Sequence, residues 1–276
     1  MFDPTDMIIL VSVLLALVFT GIHIAVSLGI TSMLGIYLMT GQVETVLSFT
    51  SNTAYEALRD YIFAVIPLFM LMGEFLAKCG AATDLFALIN RATRRIPGRL
   101  GVATVLANAV FAFVTGVSIA AAAAFSKIAY PEMRRFGYER KFALGCIAGS
   151  ACLGMLIPPS VLMIVWGVLT EMAIGKLFIA GIIPGFIVVT LFIGYILWVA
   201  IRHPERVGEG AVLPAAQQLA RDANDLVEEK DMKAILLSTL GILCLIVLVL
   251  GGIWLGVFTP TEGAGVGATL ALILAL

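Results

Sequence analysis

The chain has 276 residues, of which 61% are hydrophobic and 13% charged, and its net charge is −1 at pH 7. Its mean hydropathy is +1.07. Such a chain has too little polar surface for a water-soluble globule of its size, so we expect it in a lipid bilayer. No cationic run interleaved with aromatic residues occurs, which excludes a typical nucleic-acid-binding protein. The composition predicts an all-α polytopic membrane protein.

A membrane-spanning helix needs roughly 20 apolar residues. Five runs without charged side chains are long enough, at residues 7–43, 100–126, 142–170, 177–201 and 234–261. The first has room for two helices. A shorter apolar segment at 61–77 contains Glu74, and another at 263–276 stops abruptly, which predicts a truncated chain.

Common enzyme and cofactor motifs do not occur in the sequence. The four cysteines lack CxxC spacing, so we expect packing roles for them rather than a disulfide or a zinc site. Neither HExxH nor GxxxxGKS/T occurs, which excludes zinc proteolysis and P-loop ATP hydrolysis. We therefore expect no cofactor and no enzymatic activity.

Cationic residues crowd two short segments. They are Arg91, Arg94, Arg95 and Arg99, then Lys127, Arg134, Arg135, Arg140 and Lys141. The positive-inside rule assigns both segments to the cytoplasmic side. A single crossing between them would carry the second cluster to the far side, so the sequence predicts a re-entrant hairpin at about residues 101–126. The alternative is an ordinary Ala-rich helix that lets neighbouring helices pack closely.

The predicted hairpin tip comprises Thr115, Gly116 and Ser118. Glycine supplies a flexible backbone position there, and the two hydroxyl groups supply oxygen atoms. Each arm of about 11 to 14 residues would rise roughly 16 to 21 Å, which reaches the middle of the bilayer.

The run 142–170 contains two adjacent prolines, in the string LGMLIPPSVLMIVWG. Pro158 and Pro159 have no backbone N–H, so the carbonyls of Gly154 and Met155 lose their helical partners. The sequence therefore predicts a broken helix at about residues 142–170.

The residues beside the prolines bear on the same break. Ile157 is pushed out of the α region by the proline that follows it, and Ser160 offers a hydroxyl group beyond the break. A Pro-kinked helix repaired by a neighbouring hydroxyl is the simpler alternative. In secondary transporters, however, the carbonyl end of one half-helix binds a cation and the N–H end of the other favours a substrate carboxylate. The hairpin tip offers the same two ends, so we expect the tip and the break to meet.

The pattern divides the chain into three parts. Residues 1–201 form the predicted first membrane repeat, 202–233 a cytoplasmic connector with a charged surface helix, and 234–276 the incomplete start of a second repeat. The strings VFTG at 18–21 and VFTP at 257–260 each end an apolar run. The first string is expected inside and the second outside, as an inverted-topology repeat of an ion-transporter-like fold requires.

Five strings, in order, resemble the large membrane (permease) subunit of the TRAP transporters, the tripartite ATP-independent periplasmic carriers. They are IPLFMLMGEFLAKCG (66–80), YPEMRRFGY (130–138), LIPPS (156–160), GKLFIAGIIPG (175–185) and FTPTEGAG (258–265). The resemblance implies an elevator-type, sodium-coupled symporter that imports organic acids, such as C4-dicarboxylates or sialic acid, across the bacterial inner membrane. It also implies a small membrane subunit and a periplasmic substrate-binding protein as partners, and no metal beyond sodium.

The resemblance also implies where sodium and substrate bind. The implied residues are Thr115, Gly116, Ser118, Gly154, Met155, Ile157, Pro158, Pro159 and Ser160, with a possible second-repeat site at Thr259, Thr261 and Glu262. The chain departs from the family pattern at its tip, which reads TGVSIAAAAA instead of a small Gly/Ser-rich loop, and at His23, where the family often has proline. The family's second hairpin and second broken helix are expected beyond the last residue.

The residues alone leave two other functions open. An intramembrane serine protease would use Ser118 as nucleophile and His23 as base, and a scaffold subunit would bind a partner without moving solute. Two carboxylates have open roles as well. Glu74 precedes Lys78 by four residues, which favours an ion pair, and Glu262 either caps a helix or belongs to the site.

Overall fold

The computed structural model describes residues 4–59, 61–208 and 232–275, and these are almost wholly helical. The chain divides into two compact units, residues 1–60 and 61–276. Each unit is described by itself below. The charged surface helix predicted in the connector falls within 209–231 for most of its length and so lies outside the described residues.

The first unit contains three helices, α1 (Pro4–Phe19), α2 (Ile24–Thr40) and α3 (Val43–Arg59). The apolar run 7–43 therefore forms two helices, as the sequence predicts. Gly21 has a φ of 82° and lies in the turn between them, where glycine adopts this conformation without strain. Gly35 of α2 lets the Leu10 side chain of α1 pack closely, since an added methyl group would lie 3.5 Å from it.

The second unit contains nine helices within its described residues. They are α4 (Val65–Lys78), α5 (Ala81–Ala92), α6 (Arg99–Thr115), α7 (Ser118–Arg135), α8 (Arg140–Ala151), α9 (Val161–Leu169), α10 (Ile174–Arg202), α11 (Met232–Trp254) and α12 (Pro260–Ala275). Short 3-10 segments at Tyr61–Ala64, Cys152–Met155 and Pro204–Arg206 extend or connect them.

Three helical segments of the described chain are long and apolar enough to cross a membrane. These are Tyr61–Lys78, Ile174–Arg202 and Ile235–Trp254. Large apolar side chains such as Ile183, Phe186 and Leu191 are exposed along α10, as lipid-facing residues are. The other apolar helices are shorter than a full span, and α6 is one of them.

Helices α6 and α7 form an antiparallel hairpin. Phe111 of α6 contacts Phe125 of α7 edge to face, with ring centroids 5.8 Å apart. Nearer the base, the hydroxyl of Thr104 lies 3.8 Å from the sulfur of Met133. The pair farther from the tip on α6 is also farther from it on α7, so the second helix returns along the first.

The two hairpin helices are longer than the sequence analysis predicts. They contain 17 and 18 residues, or about 25 to 27 Å at 1.5 Å per residue. The prediction was too short because it ended the second arm at the edge of the apolar run. Charged residues do not stop a helix, and α7 continues through Lys127 to Arg135 before Gly137, with a φ of 83°, turns the chain.

The main core of the second unit surrounds α4 and the hairpin. Val65, Phe69, Met72 and Leu76 form one buried face of α4. Helix α12 packs closely on this face because Gly267 lies against the Met72 sulfur, where a methyl group would come within 2.5 Å.

The hairpin base is joined to the end of α10 by a cluster that we call the base clamp, residues 134–139 and 206–208. Tyr138 and Val207 form an antiparallel β-bridge, and the N–H of Glu139 donates to the carbonyl of Arg206 at 2.9 Å. The Arg206 guanidinium lies 3.6 Å from the Glu139 carboxylate, and the Arg134 side chain donates to the Tyr138 carbonyl at 2.7 Å. The clamp fixes the hairpin to α10 at this end.

Candidate functional site

The hairpin tip is a two-residue break between helices. Helix α6 ends at Thr115, which is buried and whose hydroxyl donates to the Phe111 carbonyl at 3.3 Å. Gly116 follows with a φ of 60°, a left-handed conformation that glycine adopts readily. Val117 is extended, and α7 begins at Ser118.

The second break separates α8 from α9. Helix α8 ends at Ala151, a 3-10 turn runs through Met155, and α9 begins only at Val161. Because Pro158 and Pro159 cannot donate backbone hydrogen bonds, the helix cannot continue through them. The run 142–170 is therefore a broken helix, since its two halves are separate helices and not one kinked helix.

Ser160 closes this break with two hydrogen bonds. Its buried hydroxyl donates to the Met155 carbonyl at 2.6 Å and accepts from the Met163 N–H at 3.4 Å. The Met155 carbonyl is thus not the free group that the two prolines predict. The alternative of a kinked helix repaired by a neighbouring hydroxyl is correct in this one respect, because the Ser160 hydroxyl is the hydrogen-bond partner of this carbonyl. The side chain of Met155 points away from the core and is 45% exposed.

The tip and the break are in direct contact. The N–H of Val161, at the start of α9, donates to the Gly116 carbonyl at 3.2 Å. Gly116 packs against the Pro159 carbonyl so closely that a methyl group would overlap it. On the other side, a methyl group on Gly154 would lie 3.2 Å from the Val117 backbone. We call this contact the tip–break junction.

Three glycines that the sequence analysis did not propose support the junction. A methyl group on Gly73 of α4 would lie 2.9 Å from the Thr115 side chain. On α10, a methyl group on Gly181 would lie 2.7 Å from the Leu156 carbonyl, and one on Gly185 would lie 2.9 Å from Ile157. Because these positions have no side chain, α4 can approach the hairpin tip closely and α10 can approach the break between α8 and α9 closely.

A buried amide that the sequence does not predict lies nearby. Asn108 of α6 is fully buried and donates to the hydroxyl of Ser150 on α8 at 2.6 Å. Its side-chain oxygen has no hydrogen-bond partner within the described residues. This bond holds the first hairpin helix to the first half of the broken helix.

The junction offers backbone and hydroxyl oxygens without charged side chains. The carbonyl end of α6 and the N–H ends of α7 and α9 converge there, and helix ends of these two kinds carry opposite partial charges. Buried Thr115 and Ser160 add hydroxyl oxygens. Oxygen donors of this kind suit a hard cation, and the N-terminal end of a helix suits an anion.

At the possible second-repeat site, Thr259 and Glu262 are bonded to each other. The Glu262 carboxylate accepts from the N–H of Thr259 at 2.8 Å and from its hydroxyl at 2.9 Å. The N–H of Glu262 in turn lies 3.3 Å from the Thr259 hydroxyl. This is a capping box at the start of α12, and it explains the exposed Glu262. Thr261 beside it is buried.

The remaining residues of interest are structural. Glu74 and Lys78 form an i,i+4 ion pair of 3.3 Å, which confirms the prediction for them. The four cysteines are free, and no metal-binding cluster occurs among the described residues.

Two interrupted helices that meet end to end, in a chain with helices able to cross a bilayer, define a helical membrane protein of the kind found among secondary transporters. The family described as the tripartite ATP-independent periplasmic transporter, DctM component, matches residues 11–276. The chain belongs to this family, which confirms the resemblance. This family is one of transporters and not of enzymes, which contradicts the intramembrane protease interpretation.

Several TRAP transporter proteins are similar to this chain. The C4-dicarboxylate TRAP transporter large permease protein DctM of Pseudomonas aeruginosa is 39% identical over 80% of this chain and 48% of its own length. The protein of the same name in Vibrio cholerae is 31% identical over 95% of this chain and 54% of its own length. The sialic acid TRAP transporter large permease protein SiaM of Vibrio cholerae is 29% identical over 94% and 56%. The chain thus spans about half the length of the relatives it matches.

Proposed function

We propose that this chain forms the first half of the large membrane subunit of a sodium-coupled carrier that imports organic acids. Sodium binds at the tip–break junction, and the substrate carboxylate binds next to it. One observation carries the proposal, namely the hydrogen bond from the Val161 N–H to the Gly116 carbonyl. It joins the two helix interruptions, so oxygen ligands for a cation and N–H donors for an anion lie together.

The chemistry of the junction supports sodium as the coupling ion. The candidate sodium ligands are the oxygen atoms of Thr115, Gly116, Gly154, Ser160 and, at the start of α7, Ser118. These are neutral oxygen donors, which suit a hard cation. The N-terminal ends of α7 and α9 favour the negative charge of an organic acid.

The relatives support an organic acid as substrate. The name of the Pseudomonas aeruginosa relative gives C4-dicarboxylate, and that of the less similar SiaM gives sialic acid. We place C4-dicarboxylates first, because this chain is more similar to the C4-dicarboxylate relative. As in the family, a small membrane subunit and a periplasmic substrate-binding protein are the expected partners.

The topology that goes with this function is a re-entrant hairpin in the bacterial inner membrane. The cationic residues at both ends of the hairpin support a cytoplasmic base. In an elevator mechanism the hairpin, the broken helix and α10 move together, and the base clamp and the tip–break junction support such a rigid body. The strings at 18–21 and 257–260 support an inverted repeat, whose second hairpin would belong to the part of the relatives that this chain does not span.

The test is uptake of labelled succinate by the complete transporter in proteoliposomes with its small subunit and binding protein. We expect uptake driven by an inward sodium gradient and no uptake with a potassium gradient of the same size. Sodium-independent uptake would remove the coupling ion from the proposal. Binding of the partners without uptake of any organic acid would favour a scaffold.

A further inference from the structure

The hydrogen bond between Asn108 and Ser150 has a fixed direction. The Ser150 hydroxyl donates to the Cys146 carbonyl at 2.6 Å, so its oxygen is left to accept. The Asn108 side chain therefore donates through its amide nitrogen, at 2.6 Å. Its amide oxygen has no partner within the described residues, although Asn108 is fully buried. A side chain that gains one hydrogen bond and leaves a buried oxygen unpaired contributes little to stability.

The other buried polar side chains of α6 behave differently. The hydroxyls of Thr104 and Thr115 donate to carbonyl groups of α6 itself, at 2.7 and 3.3 Å. Thr104 also contacts a sulfur of α7, so the hydrogen bonds of both threonines stay within the hairpin. Asn108, in contrast, is bonded to a residue of the broken helix, 42 positions away in the sequence. This bond therefore relates two helix interruptions that local structure does not relate.

The remaining contact surface between α6 and α8 does not specify how the two helices are aligned along their length. The buried residues that share a face of α6 with Asn108 include Gly101, Val105 and Ala112. Those that share a face of α8 with Ser150 are Ala143, Cys146 and Ile147. Surfaces of small apolar side chains can pack in alignments that differ by one turn, whereas a single buried polar pair is matched in only one of them.

The alignment of α6 on α8 decides whether the hairpin tip reaches the break. The two helices run in the same direction, since a methyl group on Gly101 would lie 3.7 Å from the Cys146 sulfur and Asn108 meets Ser150 farther along both. Gly116 follows Asn108 by eight residues, or about 12 Å along the helix. A slip of one turn would displace the tip by about 5.4 Å, which would break the 3.2 Å hydrogen bond of the tip–break junction.

We propose that Asn108 is a positioning residue for the sodium site. Its bond to Ser150 selects the alignment of α6 along α8 in which the tip meets the break, so it sets sodium affinity without contacting the ion. The proposal rests on the proposed function, because it takes the tip–break junction to be the sodium site. A buried amide that adds little stability thereby has a role in placing oxygen ligands about 12 Å away.

The first test removes the polar pair by combining Asn108→Leu with Ser150→Ala, since leucine branches at the same carbon as asparagine. Sodium binding to the complete purified transporter is measured by calorimetry, and the unfolding temperature is measured without sodium. We expect the unfolding temperature to hold or rise, because both partners become apolar. Sodium affinity should fall about tenfold, because the aligned state is only a fraction of the population and apparent affinity falls with that fraction.

The second test restores the pair with its members exchanged. Asn108→Ser alone should weaken sodium binding, and Asn108→Ser combined with Ser150→Asn should return it to within about threefold of wild type. Thr104→Val is the matched control, because it removes a buried hydroxyl of α6 none of whose hydrogen bonds reaches α8. This control should bind sodium as wild type does.

Four results would overturn the proposal. They are wild-type sodium affinity in the apolar double variant, a lower unfolding temperature in that variant, an exchanged pair that binds sodium as weakly as Asn108→Ser, and an equal loss of affinity in Thr104→Val. The second of these would make the pair an element of stability, and the fourth would make the loss a general response of α6. Failure of the proposed function is separate, because it is seen in the wild-type transporter as the absence of any sodium binding.

Discussion

Gly116→Ala is the sharpest test of the tip–break junction, because this position combines a left-handed backbone conformation with no space for a side chain. Its φ of 60° costs a residue with a Cβ atom about 1–2 kcal/mol. The added methyl group would overlap the Pro159 carbonyl and push the tip off the break. The bond from Val161 to the Gly116 carbonyl would then be lost, which costs about 1–3 kcal/mol for buried groups.

Together these two costs destabilise the arrangement in which the tip contacts the break by about 2–5 kcal/mol. A change of about 1.4 kcal/mol corresponds to a factor of ten in affinity. If sodium binds only the docked arrangement, its affinity should fall at least about tenfold. The assay is a sodium titration of the unfolding temperature of the complete purified transporter, since a ligand of the native state raises that temperature.

Gly145→Ala is the matched control for this experiment. Gly145 lies inside α8, and a methyl group there meets no atom within 4 Å. This change should leave sodium binding unaltered and stabilise the helix by up to about 1 kcal/mol. A Gly116→Ala protein with the sodium affinity of wild type would refute the docked junction as the sodium site.

Three further predictions concern the break and the topology. Replacing Pro158 and Pro159 together with Ala should let the helix continue, so stability should hold or rise while sodium affinity falls; unchanged sodium dependence of substrate binding would make the break a kink without function. Ser160→Ala should instead destabilise the protein by about 1–3 kcal/mol, measured by thermal unfolding, because a buried carbonyl and a helix cap lose their partner; a wild-type unfolding temperature would contradict the two hydrogen bonds. Single cysteines at Arg94 and Arg135, in a background without native cysteines, should both be shielded from an impermeant thiol reagent applied outside, and labelling of just one would mean that the segment between them crosses.

Local sequence signals predicted the positions of both helix interruptions. Gly116 between two apolar arms and the adjacent prolines at 158 and 159 act on the backbone directly, so their effect can be read without knowing the neighbours. The capping box of Thr259 and Glu262 was equally readable. Its T-x-x-E spacing is the signature of such a cap.

Packing between distant segments could not be read in the same way. Gly73 looks like any glycine in an apolar helix until the Thr115 side chain is found against it. The carbonyl of Met155 looks free until Ser160, five residues on, turns its hydroxyl back to it. Val207 gives no sign in a polar segment that it pairs with Tyr138, because a single β-bridge has no periodicity.

The base clamp has a consequence for how this protein is made. Tyr138 acquires its partner Val207 only after about 70 further residues have been synthesised, which takes on the order of 4 to 14 s at 5–20 residues per second. During that interval the hairpin has emerged from the ribosome without the segment that fastens its base. Arg134 and Arg135 are already present and resist translocation of that base. We therefore expect membrane insertion of the hairpin to be guided first by charge and secured afterwards by residues 206–208, which follow α10.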